Sequence, residues 1–202
     1  MSFFNERDVE ISKLLEFLKQ HSEKIKTILD VGCYGSQYLS QLKEYTSNVD
    51  GIDIFDGPKE RAILRDYFVG NIREKVLRQY DLVICLSTLE HSGIEQYQVD
   101  DYISEQEKVF AKVVDTTEHF LFATFPYGQK MFLRGFYANI ARDRLSIFLT
   151  YLPYFNVSLE FWYNENPLNP AGWVQITQDE ADAVEYDSSK GVRCVCILKA
   201  VK

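Results

Sequence analysis

Short apolar runs and helix-like segments take turns along most of this chain, and that alternation restricts the fold more than any other feature. Lys26–Cys33 (KTILDVGC), Asn48–Ile54 (NVDGIDI), Asp66–Val69, Asp81–Leu86 (DLVICL) and His119–Phe125 (HFLFATF) have the length and apolar content of buried strands. The first helix is predicted from Asn5 as its cap and from Ile11, Leu14, Leu15 and Leu18 at helical spacing. Ser36–Tyr45 and Asp100–Val114 also read as helices, the latter with Ile103, Phe110 and Val114 on one face. A turn at Asp56-Gly57-Pro58 leads into a short helix at Lys59–Leu64. Strands joined through helices need right-handed crossovers and a parallel sheet covered on both sides. The expected class is α/β. Ser158–Tyr163 (SLEFWY) and Val192–Leu198 (VRCVCIL) are expected to add an antiparallel edge strand.

With 202 residues, 46% of them hydrophobic, the chain can bury one substantial core, so a single domain over 1–202 is expected. After Pro126 the rhythm breaks: Gln129–Tyr154 looks helical and aromatic, and 127–173 is expected to form a cap over the site. The acidic stretch Gln178–Lys190 reads as a solvated loop. A net charge of −8 argues against a nucleic-acid partner, which is held by clustered Lys and Arg. Cys33, Cys85, Cys194 and Cys196 lack metal-ligand spacing and read as reduced core thiols, which points to the cytoplasm and to no metal. The beginning, MSFFNERDVEISK, has no apolar signal segment. The apolar stretch Met131–Phe155 carries Arg134, Arg142, Asp143 and Arg144, so no membrane span is expected.

In open parallel sheets, ligands sit beyond the carboxyl ends of the strands. The first such loop reads Asp30-Val31-Gly32-Cys33-Tyr34-Gly35-Ser36. Gly32 and Gly35 allow a tight turn and close approach of backbone to a ligand. Asp30 can face an ammonium group or a structured water, and Asp53, ending the next strand, lies where an acid takes ribose hydroxyls. A dinucleotide fingerprint would read G-x-G-x-x-G, and a carboxylate beside a pyrophosphate is repulsive. A cofactor with a cationic amino-acid end therefore fits better than NAD.

ILDVGCYGS, then VDGIDIFD, then YDLVICLSTLEHSG, closing on Pro126-Tyr127-Gly128, resembles the class I S-adenosylmethionine-dependent methyltransferases over 28–128. The resemblance implies a Rossmann-like sheet with S-adenosylmethionine as cofactor. It assigns Asp30, Gly32 and Gly35 to the methionine part, Asp53 to the ribose, Asn71 to adenine, and Leu86, Ser87 and His91 to the crevice. The usual D-x-G-x-G-x-G is altered here: Tyr34 and Ser36 stand at the second and third glycine positions, and Tyr34 is placed to crowd the methionine end.

The methyl group of such a cofactor needs only an aligned nucleophile and exclusion of water. His91 is the candidate base for a hydroxyl acceptor. Glu90 is read as ordering its loop, and His21 and His119 as structural. The acceptor is expected to be a small molecule, and Arg134, Arg142 and Arg144 leave room for an anionic one. Phe132, Phe136, Tyr137, Phe148 and Tyr151 are expected to pack in the cap. The later part resembles small bacterial methyltransferases of polysaccharide or metabolite assembly, which implies a sugar, nucleotide-sugar or related metabolite. The alternative is a non-catalytic cofactor-binding protein of the same fold.

Overall fold

The computed structural model describes residues 6–93, 102–129, 132–133, 137–166, 172–185 and 191–202, with the backbone alone for 102–103, 132–133 and 137–138. In chain order the elements are α1 (Arg7–His21), β1 (Ile28–Val31), α2 (Leu39–Tyr45), β2 (Val49–Asp53), α3 (Pro58–Arg61), β3 (Tyr67–Val69), β4 (Tyr80–Leu86), α4 (Tyr102–Thr116) and β5 (Thr117–Pro126). There follow β6 (Phe132–Leu133), β7 (Tyr137–Ala138), α5 (Arg142–Thr150), β8 (Asn156–Tyr163), β9 (Val174–Ile176), α6 (Gln178–Asp182) and β10 (Cys194–Val201). Single 3-10 turns at Ile72–Glu74 and Leu89–His91 follow β3 and β4.

Eight strands form one sheet in the order β3-β2-β1-β4-β5-β10-β8-β9. The first five are parallel, so the α/β, Rossmann-like architecture is what the chain forms. β10 runs antiparallel to both β5 and β8, and β9 antiparallel to β8. The antiparallel part is thus three strands wide, and β10 lies inside it with a neighbour on each side.

Every residue of β1 is buried, as expected of a parallel strand covered on both faces. One face packs on α1 and α2 through Leu14, Phe17, Leu18, Leu39 and Leu42. The other packs on α4 and α5 through Val109, Phe110, Val113, Leu145 and Phe148. Phe110 and Phe148 stack at 4.5 Å and join those two helices. Each such side chain contributes about 1.5–3 kcal/mol through removal from water.

Three sequence expectations need correction. Gln129–Tyr154 is not one helix: β6 and β7 pair as a short hairpin, Phe132 opposite Ala138, before α5 begins. Aromatic residues there satisfy strand pairing as readily as a helix face. The acidic stretch is not all loop, because Thr177 and Glu180 form a capping box that starts α6. β9 was not anticipated. Asn5, Arg134, Phe136 and Asp187 lie outside the described residues, and α1 starts at Arg7 without a side-chain cap. Among the described residues, no helix is long and apolar enough to cross a membrane.

Candidate cofactor cleft

A cleft of about 380 Å³ opens at the carboxyl ends of β1, β2 and β4, a volume suited to a small-molecule ligand. Its wall includes Gly32, Asp53, Asn71, Ser87 and His91, five of the residues singled out in the sequence. Asp30, Gly35 and Leu86 are not in that wall.

Gly32 has φ +80°, and a Cβ there would meet Thr88 Oγ1 at 2.1 Å. Only glycine lets the chain pass between β1 and the exit of β4. Gly35 has φ +75° with open space around it, so its requirement is one of backbone conformation. The N–H groups of this loop are all engaged. Gly32 and Cys33 donate to Ile52 O, Tyr34 to Asp53 Oδ2, Gly35 to Glu60 Oε1, and Ser36 to Cys33 O. A pyrophosphate would find no cluster of donors here, in contrast to a dinucleotide-binding turn. The helix after the loop starts only at Leu39 and is seven residues long, shorter than expected.

Asp30 is fully buried beneath the loop. Its carboxyl accepts from Tyr38 Oη at 2.7 Å and Ser36 Oγ at 2.9 Å. Burial pushes it up to about 7, against the pull of those two hydroxyls. It braces the loop from below, and Ser36, standing at a glycine position of the family pattern, is one of its two partners.

Asp53 lies at the lip of the cleft. Phe55 N donates to Oδ1 and Tyr34 N to Oδ2, both at 2.9 Å, which fixes the carboxylate plane. Burial raises it above the ordinary carboxylate range, opposed by the N–H groups of Phe55, Tyr34 and Ile54. Tyr34 is 55% exposed and its ring packs on Phe55 at 5.6 Å, so its bulk sits along the rim. Asn71 caps the turn after β3, its Oδ1 accepting from Arg73 N at 3.0 Å.

At the exit of β4, Leu86 is buried and offers its carbonyl to Arg7 Nη1 and Thr88 Oγ1. Ser87 lines the cleft, but its hydroxyl donates to Glu10. His91 stands in the next turn with its side chain 51% exposed. Behind it Glu90 is buried with Oε2 unpartnered, and burial pushes it up to about 8.

Sequence reasoning missed Arg7, which lines the cleft from α1. The signal was Glu10, a carboxylate in line with Leu14 and Phe17 on the apolar face of that helix. Arg142 and Arg144, by contrast, do not line the cleft: Arg142 pairs with Asp179 and Asp182, and Arg144 with Glu107. His21 packs against Phe17 and Phe120, away from the cleft. Among the described residues, Asp81, Glu118 and His119 group together at the opposite end of the sheet, where Asp81 Oδ2 already accepts from Lys26 N and Thr27 N.

No family model matches the chain. A ubiquinone biosynthesis O-methyltransferase of Erwinia tasmaniensis is 32% identical over 90 residues, 38% of this chain and 37% of that protein. The match therefore spans little more than a third of that relative's length. Magnesium protoporphyrin IX methyltransferase of Synechocystis PCC 6803, solved with S-adenosylmethionine, superposes with a TM-score of 0.61 at 15% identity, covering 97% of this chain and 79% of that one. The N-methyltransferase NodS of Bradyrhizobium japonicum WM9, solved with S-adenosylhomocysteine, gives 0.61 at 13%, covering 98% and 88%. The 1,6-didemethyltoxoflavin-N1-methyltransferase of Burkholderia thailandensis, solved with 1,6-didemethyltoxoflavin and S-adenosylhomocysteine, gives 0.59 at 13%, covering 96% and 79%. The chain has the fold of the class I S-adenosylmethionine-dependent methyltransferases.

Proposed function

We propose that this chain is an S-adenosylmethionine-dependent methyltransferase that acts on a hydroxyl of a small-molecule acceptor, a sugar, nucleotide-sugar or related metabolite. The observation that carries the reading is Asp53, a carboxylate fixed by two backbone N–H groups at the lip of a cleft at the carboxyl ends of β1, β2 and β4. The residues around it suit the cofactor. Asp53 takes the ribose hydroxyls, Ile54, Asn71 and Ile72 border the adenine, and Gly32 admits the methionine part where any side chain would collide with Thr88. Arg7 meets the methionine carboxylate, a pairing suited to its planar fork of donors.

When bound, the cofactor supplies a methyl group activated by its sulfonium, which passes to the acceptor oxygen. His91 takes the hydroxyl proton on an imidazole nitrogen as the acceptor oxygen becomes nucleophilic. The acceptor enters beside the hairpin of β6 and β7, which packs next to the turn bearing His91 and forms part of the cap at 127–173. The O-methyltransferase relative favours oxygen as the methylated atom. Four free, buried cysteines suit a reducing cytoplasm.

Isothermal calorimetry with S-adenosylhomocysteine tests the reading. Binding in the micromolar range is expected, and none at millimolar ligand would overturn it. Mass spectrometry of candidate sugars and nucleotide-sugars, each shifted by one methylene after incubation, identifies the acceptor.

A further inference from the structure

Arg7 reaches the cleft from outside the sheet. Its Nη1 donates to Glu10 Oε2 at 3.1 Å and to Leu86 O at 3.2 Å, so two acceptors on different elements set its direction. Glu10 is wholly buried. Its other oxygen, Oε1, accepts from Ser87 Oγ and from Thr124 Oγ1, each at 2.6 Å. Those hydroxyls stand just past the end of β4 and near the end of β5. A single carboxylate thus ties α1 to both strand ends, and its burial is offset by hydrogen bonds to both of its oxygens.

The tie falls at a strained point. Ser87 has φ +40°, the one positive value at a non-glycine among the described residues. Its N–H donates to Thr124 O at 3.0 Å and Thr124 Oγ1 at 3.1 Å, and its hydroxyl to Glu10. Backbone held in this region persists where its surroundings over-determine it, and such points gather at ligand sites. Thr124 and Glu10 do the holding here, within the same network that steers Arg7.

We propose that Glu10 is a positioning residue: through Arg7 it holds a carboxylate-binding subsite in the cleft, for the amino-acid end of the cofactor. The proposal rests on the methyltransferase reading above. Burial pushes Glu90 up to about 8, so it is mostly uncharged at pH 7 and does not compete with a ligand carboxylate for Arg7.

The test compares two ligands by calorimetry: S-adenosylhomocysteine, which carries the amino-acid end, and 5′-methylthioadenosine, the same nucleoside thioether without it. Glu10→Gln keeps the shape and removes the charge. It is expected to weaken S-adenosylhomocysteine binding roughly tenfold, the worth of one hydrogen bond to a charged group, with 5′-methylthioadenosine changed less than twofold. Arg7→Ala is expected to do the same, and adding Glu10→Gln to it to cost nothing further, because Glu10 acts through Arg7. Equal weakening of both ligands, or additive losses in the double variant, would overturn the proposal. If Glu10→Gln fails to fold, Arg7→Ala decides alone, since Arg7 is partly exposed at the cleft: an unchanged ratio of the two affinities refutes the subsite. A wild-type protein that binds neither ligand overturns the methyltransferase reading, and the proposal with it.

Discussion

Two groups of carboxylates in this molecule depart from the ordinary range in opposite directions. At the carboxyl ends of β1 and β4, Asp30 and Glu90 are sealed from water, and burial pushes them up to about 7 and about 8. Along the antiparallel side, burial also acts on Glu160, but hydrogen bonds from Lys199 and Trp162 outweigh it and bring the group below its ordinary range. Glu180, at the start of α6, is lowered by the N–H and hydroxyl of Thr177. Asp179 and Asp182 pair with Arg142. The antiparallel side therefore balances its charges internally. The cleft end holds Asp30 and Glu90 above the ordinary carboxylate range and places a single described guanidinium, Arg7, on its wall.

The harshest test of that division is His91→Ala, expected to lower turnover about a hundredfold or more while S-adenosylhomocysteine affinity holds. Steady-state kinetics beside calorimetry checks it, and equal activity removes His91 as the base. Asp53→Ala comes next. Losing two charge-assisted hydrogen bonds of about 1.5 kcal/mol each weakens S-adenosylhomocysteine on the order of a hundredfold. An unchanged Kd would take the ribose away from Asp53.

A smaller effect sharpens the comparison through pH. Glu90 is raised in the folded state from 4.5 to about 8, so its favourable contribution is whole below pH 4.5 and is lost as pH climbs through about 8. Besides burial and its own backbone N–H, the charged groups acting on it are Glu10, Arg7 and Glu6, and the His91 ring lies 4.0 Å away. Thermal melts of the wild type should show Tm falling between pH 5 and 9, and Glu90→Gln should flatten the upper part of that fall; parallel curves would show that Glu90 ionises without cost. The least effect is expected from Arg142→Ala, an exposed ion pair on the other side of the sheet. Tm should move by no more than about two degrees, with ligand affinity unchanged.

The parallel half of the fold was legible because its central strands are buried on both faces and read as short, mostly apolar runs, KTILDVGC and DLVICL among them. β9 was hidden for the converse reason: Val174 and Gln175 are exposed, and nothing in three residues marks a pattern. The hairpin at β6 and β7 was mistaken for helix since its aromatics serve either geometry. Of the site, Gly32 and Asp53 announced themselves through a turn and a strand end. Asp30 carried the right spacing but lies under the loop, because spacing along a strand does not tell a lip from a floor. Arg7 sits 79 residues from the Leu86 carbonyl it contacts, and only tertiary packing brings α1 to that place.

β10 has a consequence for how the molecule comes into being. It follows β8 and β9 along the chain, yet it pairs with β5 on one side and β8 on the other. As the chain leaves the ribosome, β1 to β5 can find one another, while the β8–β9 pair must wait for its place in the sheet until residues 194–201 arrive. Closing that gap joins segments distant along the chain, the kind of contact that makes folding slow. Until it closes, the β5 edge is exposed to any passing strand, and nascent copies of the protein are at their most vulnerable to pairing with one another.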